Sequence, residues 1–341
     1  MLINQQLHYF PACHVCLPAG TEGRSCAFYL AAEEYVAQHL PFDTPNQAYL
    51  FNWILQPTVV MGRNQVAHQE VDLDFCKREG IEVIRRKSGG GAIFADTRNI
   101  MTSLITGAGA VEPLFEEYAA AVSGGLRTLG APTTVSGRND ITLEGGGKIC
   151  GNAFYHLTNR NIVHGTMLYD TDPRLMQGAL HPDVSKLKSA GVKSVRSRVA
   201  LLKDYLPFDV RELRRRLITL LTDRTVTLDD DDVAAIEQIE QSYYAPEYLL
   251  GSSAHADVVR GGRADGVGTL MLHFSLQGSL ISDITLSGDY FELNPDPTAD
   301  FRKAFVGKAF TSDGLQAAIA ALHPEQVIRN LTTTTLTNLI N

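Results

Sequence analysis

The sequence predicts an α+β protein, with a mixed-sheet domain over residues 1–245 and a small α+β domain over 250–341. Strand-like stretches recur at 99–106, 139–143, 148–155 and 161–168, so that one mixed sheet contributes several edges to a common pocket. Good helix formers fill 25–40, and the pattern changes after a linker candidate at 243–262 to a hairpin followed by short helices. A length of 341 residues suits one large or two ordinary domains with a substantial core.

In chain order, residues 1–20 read as a short strand and then loop material rich in Pro, Gly and Cys. In the 25–40 helix, Phe28, Ala31 and Tyr35 lie beside Ala32 and Val36 on one face. Glu33 and Glu34 fall inside it, and Glu33 is either a solvated or capping residue or one that reaches into a site. Residues 41–45, bounded by prolines, end the helix. Strands follow at 49–55 and 58–61, carrying Trp53, the only tryptophan, which either fills the core or walls an apolar ligand pocket. A turn at 62–64 precedes a helix at 72–79 closed by Gly80. Short strands at 83–84 and 92–94 flank a glycine run, the strand at 99–106 follows, and 111–129 is mostly helical. After the strands at 139–168, residues 170–182 have loop character. A basic amphipathic helix is expected at 209–221 and an acidic one at 229–240, opened by four aspartates suited to a helix N-terminus. Beyond the linker come a hairpin (268–276 with 280–286) and helices at 299–305, 312–322 and 324–331; the 332–335 threonine run is too short to matter.

Composition narrows the function. Hydrophobic residues make up 44% and charged residues 20%, as in ordinary globular proteins. The net charge of -8, from 30 basic against 38 acidic residues, disfavours nucleic acid as a partner. Five cysteines are an odd number and too few for a disulfide scaffold, and the single Cys13/Cys16 pair lacks the further ligands of a structural metal site. No stretch reads as a signal peptide or a membrane span, so a cytoplasmic location with no membrane partner is expected; a monomer is expected separately.

Three stretches stand out chemically. In GRNDITLEGGGKICGNA (137–153) a glycine turn delivers Lys148, with Gly151 and Asn152 leaving the backbone around the amine uncrowded. It is not a Walker A loop, because Ile149 follows the lysine. In EVIRRKSGGGAIF (82–94), Gly89, Gly90 and Gly91 lack Cβ atoms, which permits close ligand approach beside Arg86 and Ser88. His164 beside Gly165 is either a satisfied core histidine or a mark of close ligand approach. The third stretch, KLKSAGVKSVRSR (186–198), gathers Lys186, Lys188, Lys193, Arg196 and Arg198 without aromatics, a clamp for phosphates and a poor nucleic-acid platform. Together they read as a nucleoside-triphosphate or acyl-adenylate site, with Asp140 as a hard oxygen donor for Mg²⁺ and Lys148 holding a carboxylate against the α-phosphate.

The motifs RRKSGGGAIF (85–94), GRNDI (137–141), KICGNA (148–153), VHGTML (163–168) and GVKSVRSRV (191–199) closely resemble the lipoate–protein ligase A family in order and separation. The resemblance implies a biotin/lipoate ligase-like catalytic domain, a C-terminal accessory domain, and ATP-driven conversion of lipoate to lipoyl-adenylate, followed by transfer to a carrier lysine. It places Lys148 on the essential lysine and Asp140 on the Mg²⁺-associated aspartate. It also places Glu33 and Trp53 at the lipoate end, and Arg86, Ser88 and Gly89 to Gly91 beside the adenylate. Ala92, Asn139, Gly151, Ala153, His164, Gly165, Lys188 and Lys193 join the expected ligand-binding set. The implied partners are lipoyl domains of 2-oxoacid dehydrogenase E2 subunits and the glycine cleavage H protein.

The sequence departs from the family at three positions. Ala95 stands where a histidine is usual, Ala190 where a lysine is frequent, and Cys150 where serine is commoner. The two alanines keep open a transferase that uses preformed acyl-adenylate and activates poorly, and Cys150 raises the question of a thioester. A nonenzymatic carrier binder would have lost Lys148, Arg86 or Asp140, and all three are present. The glycine-rich signature of biotin ligases is not seen.

Overall fold

Long runs of buried β-formers organise the sheet of the first unit. The computed structural model describes residues 12–42, 47–107, 109, 111–136, 140–157, 159–180, 199–250 and 256–341. Its strands are β1 (Ala12–Cys16), β2 (Ala48–Trp53), β3 (Thr58–Met61), β4 (Glu82–Arg85), β5 (Ile93–Ala95) and β6 (Asn99–Gly107). They continue with β7 (Thr133–Ser136), β8 (Asp140–Leu143), β9 (Lys148–Leu157), β10 (Arg160–Leu168) and β11 (Thr222–Thr227). Eight of them form one mixed sheet in the order β11-β1-β2-β6-β10-β9-β8-β7, and β4-β3-β5 form a small second sheet. Pairing is parallel from β11 through β2 and antiparallel from β2 onward. β2 is buried at every position, as is β6 up to Ile105, so neither strand shows the clean alternation of a half-solvated sheet.

The helix Cys26–His39 is capped by the Ser25 hydroxyl, which accepts the Phe28 amide at 3.1 Å. Every residue from Cys26 to Ala37 is buried, so it is a central helix and not an amphipathic surface one. That places Glu33 and Glu34 in the interior. The basic helix Val210–Leu221 buries Leu213, Leu217 and Leu221, the spacing its sequence predicts.

The two compact units interleave along the chain. The first contains Met1–Val60, Asp72–Ile84 and Ile93–Tyr244; the second contains Met61–Val71, Arg85–Ala92 and Ala245–Asn341. The second is built on β12 (Val258–Ala264), β13 (Gly268–Gln277) and β14 (Leu280–Gly288) with helices Pro297–Phe305, Ser312–Leu322 and Thr333–Ile340. Leu270, Leu272, Phe274, Ile284, Phe301 and Phe305 fill its core. Within this unit Arg85 is 2% exposed and donates to the carbonyls of Gly62, Arg63, Gln65 and Leu249. Those four bonds, all from Nε and Nη1, partly offset the desolvation of a guanidinium whose Nη2 is buried without a hydrogen-bond partner among the described residues, and they tie the 61–71 stretch into the unit.

Several expectations change. Residues 170–182 contain a helix, Pro173–Ala179, started by Asp172, whose carboxylate accepts the Arg174 and Leu175 amides; an Asp-Pro pair that reads as a loop is here an N-cap and N1. The linker candidate 243–262 holds a short helix, Pro246–Leu250, and most of β12, whose glycines disguise a strand. At 324–331 there is only a 3₁₀ turn, Pro324–Gln326, while the neglected threonine run opens the helix Thr333–Ile340, capped by Thr332. β7 and β11 also escaped the sequence reading.

Candidate active site

Lys148 owes its direction to a β-bulge. Asp140 pairs with Gly151 and Ile141 with Cys150, but the register then slips so that Thr142 pairs with Lys148, leaving Ile149 as the extra residue. Without the slip Lys148 would share a face with Cys150. With it, Lys148 shares the face of Asp140 and Gly151. Its amine crosses the bare Cα of Gly151, where an added Cβ would lie 2.5 Å from Nζ, and ends 2.7 Å from Asp140 Oδ1. The two side chains are about one-third exposed, so the pair is open to solvent and to a ligand. On the far side of the turn, the Ala200 amide donates to the Lys148 carbonyl at 2.9 Å, and Val199 bridges to the same residue.

Register carries this face across the sheet. Gly151 pairs with Thr166, Thr166 with Met101, and Met101 with Trp53, so one row of neighbours runs from the lysine to the indole. Three interstrand steps of about 4.8 Å make it roughly 14 Å long. The adjacent row on the same face is Ala153, His164, Ser103 and Phe51. Here a buried polar knot closes the far end. Glu33, 0% exposed, accepts the Ser103 hydroxyl at 2.6 Å and His164 Nδ1 at 2.9 Å, while Ser103 accepts the Trp53 indole N–H at 2.9 Å. Trp53 stacks on Tyr29 with centroids 4.9 Å apart. Glu33 therefore reaches inward, and His164 is a partnered histidine of this knot.

The opposite face explains two further residues. A Cβ on Gly165 would meet Asn152 Oδ1 at 2.1 Å, so the missing side chain there makes room for an amide behind the sheet. Gly165 thus accommodates Asn152, its partner on β9. Cys150 points to the same rear side, donates to Asn152 Oδ1 at 3.3 Å and is 2% exposed. Burial pushes its thiol up to about 12, the reverse of an activated acyl carrier. All five cysteines are free thiols.

The glycine loop belongs to the second unit. Arg86 turns its guanidinium onto the loop itself, donating to Ser88 Oγ at 2.9 Å and to the Gly89 and Gly91 carbonyls at 2.7 and 2.8 Å. It braces the loop, where the sequence placed it beside a close ligand approach. Gly90 N–H donates to the Tyr290 carbonyl at 3.0 Å, and a Cβ on Gly89 would lie 2.3 Å from that oxygen and 2.6 Å from Glu292 Oε2. The loop thus rests on segment 290–292. Ala92, at its exit, is the last residue of this stretch of the unit.

Asn139, Lys188, Lys193 and the rest of the 186–198 run lie outside the described residues. Among the described residues, no three His, Cys, Asp or Glu side chains gather as a metal site, and no helix is long and apolar enough to cross a membrane. Sequence reading missed Ser103, Met101, Thr166 and the 290–292 segment. Only the pairing of β2, β6 and β10 reveals the first three, and no local signal marks the last.

The region that carries the Lys148–Asp140 pair and the small C-terminal region each match a known family. Residues 25–222 match the lipoyl protein ligase A/B catalytic domain, and residues 253–340 match the bacterial lipoate protein ligase C-terminus. The chain belongs to the lipoate–protein ligase A family. It is 30% identical to lipoate–protein ligase 1 of Staphylococcus aureus over 85% of this chain and 89% of that one. A bipartite lipoate protein ligase of Thermoplasma acidophilum, described with its E2 lipoyl domain, superposes with a TM-score of 0.62 at 25% identity, covering 73% of this chain and all of that one. Plasmodium falciparum LipL1 in complex with lipoate shares the fold over 96% of this chain and 97% of its own, with a TM-score of 0.75 at 16% identity.

Proposed function

We propose that this chain is an ATP-dependent lipoate–protein ligase. The lipoate carboxylate attacks the α-phosphorus of ATP, pyrophosphate leaves, and lipoyl-adenylate forms. The amine of a carrier lysine then attacks the acyl carbonyl, AMP leaves, and an amide results with loss of the amine proton. The observation that carries this reading is Lys148, aimed by the Ile149 bulge at the head of the row Gly151, Thr166, Met101 and Trp53, long enough for a medium-chain acyl group.

In this reading Lys148 grips the carboxyl–phosphate junction, stabilising charge as it builds on phosphorus and orienting the acyl carbonyl for the second step. The Asp140 carboxylate pairs with the Lys148 ammonium until an anionic substrate displaces it. A medium acyl chain lies along Thr166 and Met101 with its tail at Trp53, where the stacked indole gives a large rigid surface. Mg²⁺ fits the donor set, since it is commonly held by one or two carboxylates plus substrate phosphates; Asp140 would hold it, and when bound it would offset phosphate charge. The basic run at 186–198 would supply cations to the adenylate. Acceptors of the E2 lipoyl-domain and H-protein class, and a cytoplasmic location, complete the proposal.

The test combines purified protein with lipoate, Mg-ATP and an apo carrier domain, following pyrophosphate and carrier mass together. Both should appear, and Lys148→Ala should abolish both. Carrier modification only from added lipoyl-adenylate would replace the ligase with the transferase reading. Near-normal adenylate formation by Lys148→Ala would remove the lysine from its role.

A further inference from the structure

Ser103 lies at the centre of the buried knot, and nothing in the motifs marks it. It is 0% exposed on β6, opposite His164 on β10 and Phe51 on β2. A hydroxyl has one proton and two lone pairs. Here the proton goes to Glu33 Oε1 at 2.6 Å and a lone pair takes the Trp53 indole N–H at 2.9 Å. Stacking on Tyr29, with 24° between the rings, sets the plane of the indole; the bond to Ser103 sets its rotation within that plane. Glu33 is in turn oriented by His164 Nδ1. One hydroxyl therefore joins the indole to the carboxylate–imidazole pair, and only a side chain that both donates and accepts can do so.

We infer that Ser103 is a positioning residue for acyl recognition: through Trp53 and Glu33 it shapes the end of the row that receives the acyl tail, and so sets selection between lipoate, with its cyclic disulfide, and straight-chain octanoate. The inference rests on the reading of that row as the acyl path.

The experiment uses the full chain and reads Trp53, the only tryptophan. Lipoate added to the wild type without ATP should change the tryptophan emission. Ser103→Ala should shift the emission of the free protein and raise KM for lipoate about tenfold, the cost of one buried hydrogen bond left unmade. It should also change the lipoate-to-octanoate ratio of kcat/KM by a similar factor and leave KM for ATP in place. Ser103→Thr, which keeps the hydroxyl, should restore the wild-type values. If Ser103→Ala does not fold, Trp53→Phe breaks the same bond from the other side and should give the same split between the two KM values. An unchanged KM for lipoate, or equal rises for lipoate and ATP, would overturn the role of Ser103. Turnover of lipoate by the wild type with no response from Trp53 would instead overturn the acyl-row reading.

Discussion

The chain uses the string Gly-Gly-Gly twice, at 89–91 and at 145–147, for different physical reasons. In the hairpin, Gly147 has a φ of 92°, a left-handed conformation that lets the turn close one residue before Lys148. Gly145, two residues earlier, has nothing within 4 Å of an added Cβ. In the loop, Gly89 is required by crowding, because the Tyr290 carbonyl occupies the place of a side chain. One run solves a backbone-direction problem and presents a lysine. The other solves a packing problem and seats a loop on a distant segment. Identical sequence therefore carries no single meaning until its neighbours are known.

Inserting one residue between Ile141 and Thr142 should have the largest effect on activity. Ile149 would gain a partner, the β8–β9 register would run through without the bulge, Lys148 would face the side of Cys150, and pyrophosphate release should fall to the level of Lys148→Ala. An insertion variant that stays active would show that the bulge does not aim the amine. Gly89→Ala should cost about 3 kcal/mol in denaturant unfolding, since its Cβ meets backbone and not a flexible side chain. Gly147→Ala should cost about 1–2 kcal/mol for the positive φ, with added crowding from the Ala200 methyl at 2.9 Å.

Glu292 tests the seat of the loop through pH. Burial raises its carboxyl above the usual range, only partly opposed by the Asn64 amide donating at 2.6 Å and by the charges of Arg63 and Arg86. A folded-state pKa above the unfolded one means the folded protein binds the proton more tightly. This residue's contribution to stability should therefore rise as pH falls through the raised pKa toward the ordinary carboxylate range. Glu292→Gln should be the more stable protein at neutral pH and should flatten that rise; thermal unfolding across the window checks both. The smallest effect belongs to Gly145→Ala, within about 0.5 kcal/mol of wild type, and a larger loss there would mean the two glycine runs are more alike than the structure implies.

The sequence by itself determined the α+β class, the hairpin that carries Lys148, the C-terminal β13–β14 hairpin and the order of motifs that marks the family. Each is local, resting on strand alternation, turn glycines or residue spacing within a single stretch. Tertiary structure alone decided which way Lys148 points, because a one-residue bulge inverts the face and leaves no trace in composition. It also decided that Ser103 joins Trp53 to Glu33 across β2, β6 and the central helix, and that Gly89 packs on Tyr290, two hundred residues away in the chain. Those facts depend on register and long-range pairing, which arise only when strands and loops far apart in sequence compete for the same buried space.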